Sequence, residues 1–345
     1  MRGYRYVLNK IAWAVFTVLF VIVLNFFLFR ILPGDPARAG IRDPRLTAQA
    51  QEAIRVRFGL DKPVINCFQS LNPLRLGKCA VNPLETQFFI YARNLLRGEL
   101  GISYHSNRPV TDVLGERLWN TVILTGPAQI LSIILGMTLG LLAAWKSHTA
   151  IDYSALIGSL VAWSLPTFWL GILLVFWGSN QLGLPIGGKQ TAGASYGSAV
   201  EQWLDIGRHL ILPTLTFTIV YMGEYMLFMR STVLEVLSED YILTAKAKGI
   251  KTSKILRAHA LPNALLPMVT IIALNLGFIV SGAIFVETVF SWPGLGLAVY
   301  EALNRRDYPM LQGAFLLLAV SVVFANLVAE LLYSVLDPRI KAGPS

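Results

Sequence analysis

A run of 19 uncharged residues, Ile11 to Phe29, is the sequence feature that most limits what this chain can fold into. A helix over this run is long enough to cross the hydrocarbon core of a bilayer, which is about 30 Å thick. Charged residues make up 14% of the chain, against about 25% in a typical soluble domain. Five further apolar runs follow, at about Asn120–Trp145, Ile151–Gln181, Leu210–Met229, Ala264–Val286 and Leu311–Leu336. The sequence therefore predicts an all-α polytopic membrane protein with six transmembrane helices.

The first apolar run could alternatively be the core of a signal peptide. An Ala-Arg-Ala segment at 37–39 mimics the cleavage site that such a peptide needs. However, the run exceeds the roughly 7 to 15 apolar residues that are usual for a signal peptide. Arg30, Pro33 and Asp35 also separate the run from the cleavage-site mimic. We therefore expect a span that is retained in the protein.

The distribution of positive charge predicts how the spans are oriented. Six spans place both termini on one side, and the short segments on that side hold twelve Lys or Arg residues. The short loops on the other side hold four, namely Lys189, Arg208, Arg305 and Arg306. Lys and Arg in short loops are enriched on the cytoplasmic side, whereas long loops cross largely regardless of charge. We therefore expect both termini to be cytoplasmic.

The chain is predicted to have three parts: the N-terminus with the first span (1–31), an extracytoplasmic loop subdomain (32–118) and a five-helix transport core (119–345). The segment 30–118 carries 13 Lys or Arg residues, too many for it to enter lipid. Short helices are expected in the loop at Thr47–Phe58 and Leu84–Leu96.

Two cysteines, Cys67 and Cys79, lie in this same loop. They form either a disulfide or a pair of free thiols. A bridge would constrain the unfolded chain by roughly 3 kcal/mol. We expect the bridge, because the predicted side of the loop is oxidising.

The sequence does not suggest that this chain is a catalyst, and no catalytic residue or metal ligand is predicted. Its four histidines, at 105, 148, 209 and 259, are scattered, and no nucleophile motif accompanies them. Gly183 to Lys189 (GLPIGGK) resembles the start of a phosphate-binding loop, but Gln190 follows where Ser or Thr is required. We therefore expect that any ATP is bound by another chain. The net charge of +9 fits membrane orientation, and no basic, aromatic-interleaved stretch indicates nucleic-acid binding.

Three polar residues near or inside the spans are candidates for a translocation pathway. Glu224 lies within the fourth predicted span, where an acid costs roughly 2.5 to 3.5 kcal/mol unless it is paired or hydrated. Asn275 and Glu287 are weaker candidates. A structural pairing role is the alternative for Glu224. The GxxxG spacing of Gly136 and Gly140 predicts close packing between helices.

A polar stretch, Tyr241 to Pro262 (YILTAKAKGIKTSKILRAHALP), interrupts the otherwise apolar second half. The amphipathic pattern predicts that the fourth helix continues beyond Arg230, and that a short helix then covers Tyr241–Lys248. Gly249 is expected to end this helix in the left-handed conformation. Thr252 or Ser253 is expected to cap a following helix. Pro262 is expected to break the segment before the fifth span.

This stretch resembles the EAA loop of ABC importer permeases, whose pattern is E-A-A, three residues, Gly, nine residues, I, any residue, L-P. Ala245, Gly249, Leu261 and Pro262 match that pattern here, whereas Leu243, Thr244 and His259 depart from it. The Thr-Ala-Lys-Ala-Lys-Gly version is similar to the oligopeptide/dipeptide (Opp/Dpp) branch of the family. An ordinary cytoplasmic loop is the alternative that the residues alone leave open.

Further segments are similar to the same branch and occur in the same order along the chain. They are Leu32-Pro-Gly-Asp-Pro36, Phe58-Gly-Leu-Asp-Lys-Pro63, Leu96-Arg-Gly-Glu-Leu-Gly101, Glu287-Thr-Val-Phe-Ser-Trp-Pro-Gly-Leu-Gly296, Arg306-Asp-Tyr-Pro309 and Leu336-Asp-Pro-Arg339. Residues 64–83 look like an insertion relative to the branch pattern. The chain is identified as similar to the B-type permease subunit of this branch.

The resemblance implies a type I ABC importer permease in a prokaryotic inner membrane, with peptides, or alternatively nickel complexes or glutathione, as cargo. Implied partners are a second homologous permease, two ABC ATPase subunits that bind ATP and Mg, an extracytoplasmic solute-binding protein and the lipid bilayer. An autonomous carrier or channel is the contrasting class. The implied ATPase-coupling residues lie in segment 231–262 and are Asp240, Tyr241, Thr244, Ala245, Lys246, Ala247, Lys248, Gly249, His259, Leu261 and Pro262.

Overall fold

The structure is a computed structural model that describes residues 2–31, 62, 64, 83–278 and 283–336. Both cysteines, most of the proposed insertion and the helix expected at Thr47–Phe58 lie outside the described residues. The described residues fall into two units. The larger contains residues 119–297 with both terminal segments, and the smaller contains residues 11–118 and 298–323.

The described secondary structure is helical apart from one isolated bridge between Ile102 and Pro109. The helices are α1 (Arg2–Ile31), α2 (Gln87–Leu96), α3 (Val110–Trp145), α4 (Ala150–Ser164), α5 (Thr167–Leu182), α6 (Ala199–Leu237), α7 (Asp240–Ala247), α8 (Thr252–Ile255), α9 (Leu261–Phe278), α10 (Ile284–Val289), α11 (Leu295–Arg305) and α12 (Tyr308–Leu336). Five described helical segments are long and apolar enough to cross a membrane, and the pair α4 and α5 gives a sixth span if it counts as one. The predicted all-α fold is thus confirmed, with six spans when α4 and α5 are counted together as one span.

The third predicted span is wrong as a single straight helix. The helices α4 and α5 meet at an angle of 100°. Leu165 has extended backbone angles, with φ −72° and ψ 131°, since a residue before proline avoids the helical region. Pro166 then precedes the first residue of α5 and fixes the direction in which that helix starts. The sequence Leu165-Pro166 therefore breaks the span near its middle.

Two other predicted boundaries also differ from the structure. The fourth span belongs to a 39-residue helix, α6, which continues past Arg230 as the amphipathic pattern predicted. The fifth span was predicted to run to Val286, but α9 is described only as far as Phe278 and a separate short helix, α10, covers Ile284–Val289. The apolar run therefore contains more than one element, which composition alone did not reveal.

The larger unit is built around α6, and glycines bring its neighbours into backbone contact with it. A β-carbon at Gly136 of α3 would lie 2.7 Å from the carbonyl oxygen of Met222, and one at Gly140 would lie 2.6 Å from that of Met226. On another side of α6, a β-carbon at Gly223 would lie 2.6 Å from the carbonyl oxygen of Ser159 in α4. The close packing predicted from the GxxxG spacing is confirmed.

A buried ion pair also joins α4 to α6. Arg230 donates to both carboxylate oxygens of Asp152, with Nε at 2.5 Å and an Nη at 2.8 Å. The amide of His148 donates to the same carboxylate at 3.0 Å. The Asp152 side chain is almost fully buried, so its charge depends on these donors. The pair fixes the end of α6 from which the polar stretch begins.

The smaller unit is held by a buried carboxylate at the start of α12. Asp307 accepts from the Ser103 hydroxyl at 2.5 Å and from the Tyr104 amide at 3.2 Å. It also accepts from the amide of Met310 in the first turn of α12, as an N-terminal capping residue does. In the same unit, α2 confirms the helix expected at Leu84–Leu96, and its Phe88 packs edge-on against Phe26 of α1.

We predict that Gly140→Ala lowers the thermal stability of the detergent-purified chain. The new methyl group would meet the α6 backbone, and overpacking of this kind costs roughly 1–3 kcal/mol. Gly126→Ala is the matched control on the same helix, because a β-carbon there meets no atom within 4 Å. Alanine favours a helix over glycine by about 1 kcal/mol, so the control is expected to hold or raise the unfolding midpoint. Equal midpoints for the two variants would contradict the proposed packing.

Candidate functional site

The polar stretch after α6 folds into a compact elbow, which we define as residues 239–255. α6 ends at Leu237, Glu239 precedes α7, and α7 ends at Ala247. Gly249 follows with φ +71°, in the left-handed region. The short helix and its glycine terminator are thus confirmed, with the helix shifted by one residue. Since no atom lies within 4 Å of a β-carbon at Gly249, its backbone angle and not close packing within this chain accounts for the glycine.

A small apolar cluster braces the elbow from inside. Ile242 and Ala245 of α7 are buried against Ile255 of α8, and Leu237 and Ile250 pack around them. The family resemblance places Ala245 among the ATPase-coupling residues, which predicts that it faces a partner. The structure instead turns Ala245 inward, where a larger side chain would displace Ile242 or Ile255. This cluster packs α7 against α8, and Leu237 at the end of α6 contacts it.

The outer surface of the elbow is exposed, apolar at its centre and basic around it. Tyr241 and Leu243 expose 44% and 54% of their surface. Single exposed apolar residues are common on protein surfaces, so their exposure alone does not assign a partner. The other exposed residues of the elbow are two acids at its start, Glu239 and Asp240, followed by residues that are small or cationic: Thr244, Lys246, Ala247, Lys248, Gly249, Lys251, Thr252, Ser253 and Lys254.

The elbow runs into the fifth span without a break, which corrects two predictions. Lys251, and neither Thr252 nor Ser253, occupies the position before α8, and it forms no side-chain cap. Between α8 and α9 lies a π-helical turn, Leu256–Ala260. The Leu261 amide donates to the carbonyl of Leu256, five residues back. This wider turn directly precedes Pro262, the second residue of α9, which has no amide proton to donate along the continuous helix.

Tyr241 ties the elbow to α9 directly. The amide side chain of Asn263 donates to the Tyr241 hydroxyl at 3.0 Å and to the His259 carbonyl at 2.8 Å. His259 itself is half-buried within the π-helical turn. The chain connects the elbow to α6 at one end and to α9 at the other. The hydrogen bond between Asn263 and Tyr241 adds a second connection between α9 and the elbow.

A polar cluster inside the spans joins three helices of the larger unit. Asn275 of α9 donates to the Glu224 carboxylate at 3.3 Å and to the Tyr225 hydroxyl at 3.1 Å. Gln129 of α3 donates to the same hydroxyl. The two sequence candidates Glu224 and Asn275 are therefore brought together, and Tyr225 and Gln129 join them. Sequence reasoning missed these two because a tyrosine and a glutamine carry no charge that marks them in a span.

Glu287, the third pathway candidate, occupies a different kind of position. It is fully buried, and it accepts from the Thr121 hydroxyl at 2.6 Å and from the Leu297 amide in the first turn of α11 at 2.9 Å. Gly294 is required beside it, because a β-carbon there would lie 2.2 Å from the carboxylate. This geometry favours a structural role for Glu287 over the predicted role in a pathway.

The segment that mimics a phosphate-binding loop packs against this same region. Lys189 donates to the Asn120 side chain at 2.8 Å, and the Gly188 amide donates to the Phe290 carbonyl at 2.8 Å. The Asn120 side chain in turn donates to the carbonyl of Pro293 at 2.9 Å. The lysine and the glycine amide that a phosphate would need therefore serve loop contacts here. No group of three metal-ligating side chains occurs among the described residues.

Comparison with known proteins gives matches along nearly the whole chain. Residues 136–342 match the family described as binding-protein-dependent transport system inner membrane component, and residues 3–125 match its N-terminal family. A probable peptide ABC transporter permease of Sinorhizobium fredii is 35% identical, over 97% of this chain and 99% of its own. A glutathione transport system permease of Escherichia coli is 36% identical, over 98% and 99%. A dipeptide transport system permease of Escherichia coli is 32% identical, over 98% of each chain.

A solved structure agrees with the fold. The methionine ABC transporter MetNI, in an inward-facing conformation, matches 65% of this chain and 96% of its own chain, with a TM-score of 0.51 and 17% identity. That likeness concerns the fold alone. The family match over more than half of the chain, together with relatives above 30% identity along almost all of it, shows that this chain belongs to the binding-protein-dependent transport system inner membrane component family.

Proposed function

We propose that this chain is one of two permease subunits of an ATP-driven importer that takes up di- and oligopeptides. A second homologous permease completes the pathway, and two ABC ATPase subunits bind ATP and Mg and hydrolyse the nucleotide. An extracytoplasmic binding protein delivers the cargo. The complex lies in the inner membrane of a prokaryote, with both termini of this chain in the cytoplasm. The observation that carries the proposal is the exposed, internally braced elbow between α6 and α9.

Coupling follows from how the elbow is built. The cluster of Ile242, Ala245 and Ile255 keeps α7 and α8 together as one piece. The exposed side chains of Tyr241, Leu243 and Ala247, with the lysines around them, form the surface that docks into a groove of an ATPase subunit. When ATP binding brings the two ATPases together, each elbow moves with its ATPase. Because α6 and α9 continue from the elbow into the membrane, the spans then alternate between outward-facing and inward-facing states.

Peptide cargo is supported by the names of the relatives. They include a peptide, a dipeptide and a glutathione permease, and glutathione is itself a modified tripeptide. Glutathione and nickel complexes remain the alternatives for this chain. An autonomous carrier is the contrasting class, in which the elbow has no partner and Glu224 couples transport to an ion.

The function is tested by reconstituting the two permeases and two ATPases in vesicles and measuring the uptake of a labelled dipeptide. We expect uptake only when the binding protein is outside and ATP is available to the ATPases. Purified permease alone should not transport. Uptake by this chain alone, driven by an ion gradient and indifferent to ATP, would overturn the proposal in favour of an autonomous carrier.

We predict that Gly249→Asp lowers ATP-dependent uptake at least about tenfold, because an unpaired charge at a protein interface costs more than about 1.4 kcal/mol. The chain itself should still insert and fold, since among the described residues no atom lies within 4 Å of the new β-carbon. Membrane yield and the melting temperature of the purified chain check this point.

Gly249→Asn is the matched control, since asparagine has nearly the same shape as aspartate, accepts the left-handed conformation and carries no charge. If the partner surface excludes the anion, the asparagine variant retains more uptake than the aspartate variant. Full uptake by both variants would contradict the assignment of this turn to the ATPase contact.

A further inference from the structure

Glu224 lies deep in the membrane part of α6. It is six residues before Arg230, about 9 Å along the helix axis from the Asp152–Arg230 ion pair. On its other side, α6 continues for 25 residues back to Ala199. The apolar run around it, residues 210–229, contains no other charged residue. The carboxylate is therefore separated from the charged ends of its helix on both sides.

Among the described residues, Glu224 forms no ion pair with a Lys or Arg side chain. Its hydrogen-bond partner among the described residues is Asn275, a neutral amide. The apolar runs at 120–144, 153–181, 210–229 and 261–286 contain no Lys, Arg or His. A carboxylate at such a depth is costly when it is neither paired nor hydrated. A positive charge brought to this carboxylate by a ligand would offset that cost.

The cluster around Glu224 presents the carboxylate at an accessible edge. Tyr225 and Gln129 are buried, whereas Glu224 is half-buried. Tyr221 and Phe228, three residues before it and four after, lie on the same face of α6, and Phe228 exposes 41% of its surface. Asn275 of α9 contacts one side of Glu224, and Tyr221 on the same face stacks on Phe217. Glu224 stays partly exposed beside these contacts, so a ligand can reach its carboxylate.

We propose that Glu224 is a subsite for a primary ammonium group, which the free amino terminus of a peptide in transit supplies. This inference rests on the proposed function, since it names how a peptide importer would use the site. An ammonium is compact and has three donors, so it can satisfy carboxylate oxygens that Asn275 leaves open. The Tyr221 ring, one turn away on the same face, adds an aromatic surface of the kind that attracts cations. Because Asn275 is a neutral amide, the bound ammonium group is held by one carboxylate and can dissociate again, as a transport step requires.

The test compares Glu224→Gln with the parent in the complete complex, using two labelled forms of one dipeptide. One form has a free amino terminus and the other is N-acetylated. The binding protein is the same throughout, so its own selectivity cancels when the ratio of the two uptake rates is compared between variants. We expect the ratio of free to acetylated uptake to fall about fivefold in Glu224→Gln, as for loss of one partly hydrated ion pair.

Glu201→Gln is the matched control, because Glu201 is exposed at the start of the same helix and loses the same charge. Its ratio should equal that of the parent. An unchanged ratio in Glu224→Gln would overturn the proposal, and so would equal losses of both uptake rates, which would indicate a structural pairing with another subunit. A parent complex with no ATP-dependent uptake would instead reject the proposed function itself, so the two failures are distinguishable.

Discussion

The backbone contact between α6 and its neighbours is the constraint on which the larger unit depends. Within lipid, apolar side chains give little preference for another helix over the bilayer, so close packing has to supply the association. Gly136 and Gly140 provide it on one side of α6, and Gly223 provides it on another. With α6 fixed in this way, the Asp152 carboxylate can reach Arg230, and the Gln129 amide can reach the Tyr225 hydroxyl. Both polar contacts presuppose the close approach of the helices.

The same helix links the two proposed sites. Glu224 lies in the membrane part of α6, and the elbow begins a few residues after Leu237, where the helix ends. α9 repeats this relation, since it carries Asn275 in the membrane and Asn263 beside the elbow. Movement of the elbow would therefore act on both members of the Glu224–Asn275 contact. In the proposed importer, a partner that moves the elbow from outside the membrane would thereby change the Glu224–Asn275 contact inside the membrane.

The sequence predicted the structural features that depend on neighbouring residues. It could not predict the contacts between residues that are far apart in the chain. Apolar length predicted the spans, and Gly249 predicted the end of α7, because both signals are carried by neighbouring residues. The break at Leu165-Pro166 was also visible locally but was outweighed by the apolar run around it. The inward position of Ala245, by contrast, depends on Ile255 ten residues later. Asp152 and Arg230 are 78 positions apart in the sequence, so no local pattern could predict that they pair.

Site-specific photo-crosslinking at Leu243 tests the central claim most directly, because it asks whether the exposed face of the elbow touches an ATPase. A photoreactive residue is placed there in the assembled complex, and the control position is Val200, which is also exposed and lies near the start of α6. The account predicts a cross-link to an ATPase subunit from position 243 and none from position 200. Absence of any ATPase cross-link from position 243 in an active complex would contradict the account.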